Sequence, residues 1–315
     1  MYSDPKSVTR ISSLGAGPIG GGWTAHFLAR GYDVTAYLHD ERETDAFMSI
    51  LNTAWVSLID LGLTPSASMD RLRIVTNLEE ALEGADFVQE SGPERLEIKQ
   101  ELYERMGTIL PPSVIIGSST SGLMMSDIQA DCSTAERTVI GHPFNPPYLL
   151  PLVEIVGGKK TAPEAVAWAG KFYKIAGKEP LMMKKEIPGF VATRLQEALW
   201  REALHMVANG EATPEDIDIA LINGPAPRMA AQGQCMAFHV ACGEGGMATN
   251  LDQFGPALKL PWTRLEAPEL TKDLRNRMVD GCNTMAKNQH FEDMAAQRDR
   301  EIVGVLNALR QARSM

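Results

Sequence analysis

Residues 10–31, RISSLGAGPIGGGWTAHFLARG, constrain the fold more than any other stretch. A short apolar run leads into a glycine turn, and the turn opens a helical run that stops at Gly31. Inside it, Gly15-Ala16-Gly17-Pro18-Ile19-Gly20 fits G-x-G-x-x-G. In that pattern the first glycine permits the tight turn, the second lets backbone approach a pyrophosphate, and the third lets helix pack on strand. The N–H groups that open the helix then face the phosphates. A glycine-rich structural turn is the bland alternative. The strand before and the helix after favour a dinucleotide site, with Gly15, Gly17, Pro18, Ile19 and Gly20 as its cradle.

The rest of the first half repeats this grammar. Asp33–Leu38 reads as a second strand, and a helix follows from about Glu41 to Leu61, stopped by GLTP. Further strands are predicted at LRIVT, ADFVQE, SVIIG, TVIGH and LVEIV. Strands alternating with helices predict a parallel, doubly wound sheet. After KEIPGF the pattern becomes helical, with Phe190, Val191, Leu195, Leu199, Met206 and Val207 on a helical period. Thr213 reads as an N-cap with Pro214 at the first helical position. The expected fold is therefore α/β: a Rossmann-type doubly wound sheet over residues 1–187, then an all-α C-terminal domain over residues 188–315.

Composition enters as exclusion. A net charge of −10 with no basic cluster argues against nucleic acid. No run reaches a membrane-spanning length, and the polar start MYSDPKSVTR carries no signal peptide pattern. Cys132, Cys235, Cys242 and Cys282 have no metal-ligand spacing, so they read as reduced thiols of a cytoplasmic protein and no metal is expected. The choice of dinucleotide stays open. An NAD site usually ends its second strand in Asp or Glu to bind the ribose 2′-hydroxyl. Here Leu38 holds that place, with Asp40 two residues on. Asp40 reaches the ribose if the turn bends back; otherwise His39 and Arg42 face a phosphate and NADP becomes possible.

A second stretch, HPFNPPYLLPLVE, carries four prolines in thirteen residues, with His142 at one end and Glu154 at the other. Proline fixes φ and removes a donor, so most of this segment is neither helix nor interior strand. Taken with GAGPIGGGW, VQESGPERLEIK, SSTSGL, GHPFNPPYLLPLVEIV and IPGFVATRL, it makes the chain resemble the 3-hydroxyacyl-CoA dehydrogenase superfamily over nearly its whole length. The resemblance implies that His142 and Glu154 do the chemistry. The histidine takes the hydroxyl proton as hydride leaves, and the acid orients the ring and stabilises the imidazolium. It further implies that Ser121 hydrogen-bonds the substrate oxygen, against a helix-cap reading. Glu94 and Lys99 then line the nicotinamide ribose and the cleft, against an exposed charge pattern. Asn145 belongs to the fixed turn, and Thr193 stands where the family often has an amide, a shorter group that cannot both donate and accept in the same way.

Within that family the helical half is similar to the L-carnitine dehydrogenase branch, through ALWREALHMVANGEAT and EGGMATNLDQFGPALKLPWTRLEAPELT. This implies NAD-dependent oxidation of the 3-hydroxyl of a quaternary-ammonium hydroxy acid, and a homodimer formed through the helical domain. A quaternary ammonium has no N–H, so ring faces and nearby carboxylates hold it. Phe190, Trp200, Phe238, Phe254 and Trp262 are the candidate rings, and Arg228 the candidate carboxylate partner. Met229 and Cys235 stand where that branch tends to carry larger rings. Other 3-hydroxy acids, L-gulonate or a short 3-hydroxyacyl-CoA, remain alternatives, as does a crystallin-like protein with little turnover.

Overall fold

The apolar and β-branched runs form strands β1 (Arg10–Leu14), β2 (Asp33–Tyr37), β3 (Leu72–Val75), β4 (Phe87–Glu90), β5 (Ile115–Ser118), β6 (Thr138–Pro143) and β7 (Leu152–Gly157). An eighth, β8 (Glu179–Met182), joins them, and the sheet order is β3-β2-β1-β4-β5-β6-β7-β8. The structure is a computed structural model; it describes residues 2–242, 244, 246–256, 260, 263, 264, 266, 269, 271–286 and 290–314.

Strands β1 to β6 pair in parallel throughout. The pair β6–β7 is antiparallel, the one exception in a sheet that is otherwise parallel as expected. Only residues 144–151 separate the two strands, and a parallel crossover needs a dozen residues or more. Strand β8 escaped the sequence reading because EPLM is short and carries Pro180, which suits an edge position.

Helices α1 (Pro18–Ala29), α2 (Thr44–Leu61), α3 (Leu78–Leu82), α4 (Leu96–Ile109), α5 (Met125–Ile128) and α6 (Pro163–Ile175) accompany the sheet. The helix expected from Glu41 begins as a 3-10 turn, Glu41–Glu43, before α2. Helix α1 is buried from Gly20 to Ala29. Its Trp23 stacks on Phe27 at 5.0 Å, and Phe87, Trp168 and Phe172 extend the aromatic layer. Burying each such ring contributes about 1.5–3 kcal/mol. Small residues let α1 sit this close. A Cβ on Gly20 would fall 2.1 Å from the Gly15 carbonyl oxygen, and one on Gly22 would fall 2.8 Å from Pro147 Cδ.

The later helices are α7 (Ala192–Ala208), α8 (Pro214–Asn223), α9 (Pro225–Ala241), α10 (Gly246–Phe254), α11 (Lys272–Ala286) and α12 (Phe291–Arg313). Thr213 caps α8 by accepting from the Asp216 N–H, as its sequence predicts. The chain divides into two compact units, Met1–Thr193 with Arg298–Asn307, and Arg194–Gln297 with Ala308–Met315. The division falls six residues beyond the expected domain boundary at 187/188, inside the first turn of α7. A stretch of α12 returns to the first unit, where Val303 joins the aromatic core. Among the described residues no helix is long and apolar enough to cross a membrane.

Candidate active site

The strand order reverses between β1 and β4, and open α/β sheets bind ligands at such a switch point, beyond the carboxyl ends of the strands. Gly15 ends β1 at φ +123°, and a Cβ there would lie 2.4 Å from the Ser91 carbonyl oxygen. Gly17, by contrast, faces open space where a Cβ would be. It is the N-cap of α1, which has no side-chain cap and no acid in its first turn. A helix N-terminus left this way favours an anion. A cavity of about 670 Å³ opens above it, lined by Gly15, Gly17, Tyr37, His39, Glu43 and Gly92 among others. The residues present therefore fit a dinucleotide, with a bare backbone cradle for its pyrophosphate.

The second strand ends at Tyr37, and the Leu38 side chain is fully buried in the core. Asp40 is turned to its own loop: it accepts from Arg42 Nε at 2.8 Å and from the Arg42 N–H at 2.8 Å. The bond from the Arg42 side chain holds the Asp40 carboxyl below its usual range. Asp40 is not part of the cavity wall; Glu43 and His39 are.

His142 on β6 and Glu154 on β7 stand directly opposite in the antiparallel register. His142 Nδ1 lies 2.9 Å from Glu154 Oε2. A carboxylate can only accept, so Nδ1 carries the proton and a neutral ring leaves the Nε2 lone pair open. The other oxygen, Glu154 Oε1, accepts from the N–H groups of Val191 at 2.8 Å and Ala192 at 2.9 Å, where α7 begins. Glu154 is fully buried. Burial alone would raise its pKa, but the bonds from His142, Ala192 and Val191 outweigh burial and lower it. The Phe190 ring packs 5.3 Å from the imidazole and is only 1% exposed, so it walls the histidine within the core. Its φ of +50° is unusual for a bulky residue and costs of order 1–3 kcal/mol.

The proline-rich turn between the two strands is held from several sides. Pro147 packs on Gly22 of α1, and Asn145, exposed, precedes the cis bond to Pro146. Buried Lys178 donates to the Pro147 and Leu150 carbonyls, and its Nζ sits 4.9 Å from the centre of the Trp23 ring. Burial, with the Arg30 charge adding to it, pushes Lys178 down to about 7. Tyr148 donates to the buried Asp299 carboxylate on α12.

A second cluster shapes the loop after β5. Glu94 Oε1 accepts from Thr120 Oγ1 and from the N–H groups of Ser121 at 3.0 Å and Gly122 at 2.8 Å. The Ser121 hydroxyl is exposed and has no hydrogen-bond partner among the described residues. Lys99 is buried on α4, so the exposed-charge reading does not describe it; its Nζ lies 2.6 Å from Glu90 Oε1 and 3.8 Å from Glu94 Oε2. Ser118 and the Gly92 N–H also donate to Glu90. Parallel register sets Ser118 beside Ile140, so the Ser121 loop and His142 lie at the same, carboxyl end of the two strands. Glu90 and Lys178 were missed in the sequence. Only a carboxylate at the end of a buried strand, and a lysine just past a Gly-ended helix, could have signalled them.

The remaining candidates lie further along the chain. Thr193 is half-buried in the first turn of α7. Arg228 and Phe238 share α9, with the guanidinium 5.9 Å from the ring centre and Phe238 39% exposed. Trp200 and Phe254 are exposed. Trp262 lies outside the described residues.

Comparison with known proteins bears on the whole chain. Residues 10–187 match the model of the 3-hydroxyacyl-CoA dehydrogenase NAD-binding domain, and residues 189–280 that of the C-terminal domain. An L-carnitine dehydrogenase of Streptomyces coelicolor is 53% identical over 97% of this chain and 96% of its own length. Another, of Streptomyces griseus, is 52% identical over 96% of this chain and 91% of its own. The crystal structure of 5-formyl-3-hydroxy-2-methylpyridine 4-carboxylic acid 5-dehydrogenase, an NAD-dependent dismutase, superposes with a TM-score of 0.81 at 28% identity, covering 96% of this chain and 99% of that one. Such a match makes the protein an oxidoreductase that acts on a CH–OH group with a nicotinamide dinucleotide. With both domains in order along one chain, and relatives this similar from end to end, the protein belongs to the 3-hydroxyacyl-CoA dehydrogenase family.

Proposed function

We propose that the protein oxidises the 3-hydroxyl of L-carnitine to the ketone 3-dehydrocarnitine, with NAD as acceptor. The observation that carries the chemistry is the buried His142–Glu154 pair, with its 2.9 Å bond and the far nitrogen of the ring left open. Bound NAD would supply the hydride acceptor. His142 Nε2 takes the hydroxyl proton, and Glu154 stabilises the resulting imidazolium while it fixes the ring. The Ser121 hydroxyl hydrogen-bonds the alcohol oxygen, and Glu94 holds the Ser121 loop through two backbone bonds. Lys99 and Glu90 anchor the base of that loop as a buried pair, 2.6 Å apart.

The substrate is supported by the names of relatives that are 53% and 52% identical. The test is NADH formation from L-carnitine, D-carnitine, L-gulonate and 3-hydroxybutyrate. One or two ring–cation contacts at about 0.5–2 kcal/mol each predict a kcat/KM for L-carnitine from about twofold to several hundredfold above that for 3-hydroxybutyrate. Turnover of L-gulonate or 3-hydroxybutyrate with none of L-carnitine overturns the substrate.

We further propose that two copies associate through the second unit. Leu195, Leu199 and Trp200 on α7 and Ile222 on α8 are exposed, Leu195 and Ile222 to 65% each, and apolar side chains left to water on two helices are what a second copy would cover. Sedimentation should give a mass twice the 34.4 kDa chain; a single-chain mass at micromolar concentration refutes this.

A further inference from the structure

We infer that Glu43 reads the adenosine ribose and excludes a 2′-phosphate, replacing the strand-end acid that this chain lacks. The inference deepens the dinucleotide reading of the cavity above Gly17 and rests on it. Leu38 is fully buried, and its N–H is bonded to the Val75 carbonyl, so the strand end itself offers the ribose no carboxylate. The 3-10 turn that follows brings two acids forward and divides their work.

Asp40 is spent on Arg42, through Nε at 2.8 Å and a second guanidinium nitrogen at 2.5 Å. Glu43 folds back instead: Oε2 accepts from the N–H groups of His39 at 3.0 Å and Asp40 at 3.4 Å. Its Oε1 has no protein partner among the described residues, and the side chain lines the cavity that Gly15 and Gly17 border. A carboxylate oxygen can only accept, so the group that meets it must donate. A ribose diol donates; a 2′-phosphate brings acceptors and negative charge to the same place.

The arginines nearby do not offset this. Arg42 faces Asp40, and Arg105, on the cavity wall, faces Glu79 at 3.1 Å. Asp40 therefore has a secondary part in the same discrimination, by occupying the one cation of the turn.

Calorimetric Kd values for NADH and NADPH on the purified protein test this without turnover. The native protein is expected to bind NADH the more tightly. Glu43→Gln keeps an amide oxygen to accept the His39 and Asp40 N–H groups, so the turn should survive. It should narrow the NADH preference at least about tenfold, chiefly by tightening NADPH. Asp40→Ala, which removes every acceptor that holds the Arg42 side chain, should tighten NADPH and leave NADH within about twofold. If Glu43→Gln weakens both nucleotides equally, or leaves their ratio unchanged, Glu43 only holds the turn and the inference fails. Native preference for NADPH overturns the inference alone. Binding of neither nucleotide overturns the dinucleotide reading, and this inference with it.

Discussion

Replacing His142 with glutamine is expected to lower kcat for NADH formation by about 10²–10⁴-fold, the range a positioned general base contributes. Glutamine can still donate to Glu154, so the strand pair and the nucleotide cradle should keep their shape, and Kd for NADH should change little. What is lost is the only open nitrogen of the ring. Hydroxide can take the same proton, so the deficit should shrink as the pH is raised from 7 to 10. A variant with native kcat for every alcohol tested would mean that the proton leaves by another route. A variant that no longer binds NADH would mean that His142 holds the site together rather than serving as its base.

Glu154→Gln should be nearly as damaging to rate and more damaging to stability. Glu154 Oε2 meets His142, while Oε1 takes the N–H groups of Val191 and Ala192. An amide can satisfy one side but must turn its own N–H groups toward donors on the other. Loss of the orienting acid is expected to cut kcat by about 10²–10⁴-fold, because the ring then loses its tautomer as well as its charge partner. Because these two residues act as one unit, the double variant should be little worse than either alone. With the ring neutral, the stability cost is that of buried N–H groups left without an acceptor, about 1–3 kcal/mol.

The pH sign follows from the lowered pKa of Glu154. The folded state favours the ionised form, so its contribution is complete above the ordinary glutamate value of 4.5. It is lost as the pH falls through the lower folded value. Acid unfolding of the native protein should therefore steepen below pH 4.5, and Glu154→Gln should flatten that limb. Parallel acid limbs in the two proteins would show that Glu154 is not held ionised by these bonds.

The acid at the strand end shows where reading from sequence stops. Leu38 signalled that something had to replace the usual carboxylate, and Asp40 was the nearest acid. In the fold it is Glu43 that lines the cavity, because the 3-10 turn lays Asp40 against Arg42. Glu90 was invisible for a similar reason: its partner Lys99 sits nine residues on, across a loop and a helical turn. Lys178 is farther still, reaching Pro147 from thirty-one residues away.

The chain alone determined seven of the eight strands, the glycine cradle, and the histidine and acid at the two ends of a rigid turn. These follow from local preferences: φ freedom at glycine, φ restriction at proline, and the spacing of apolar side chains. The strand register that sets His142 opposite Glu154, the addition of β8, and the division of labour between Asp40 and Glu43 were decided only by the tertiary structure. Each depends on which distant backbone group or charge is near enough to bond. That proximity comes from packing the whole sheet, and no window of sequence contains it.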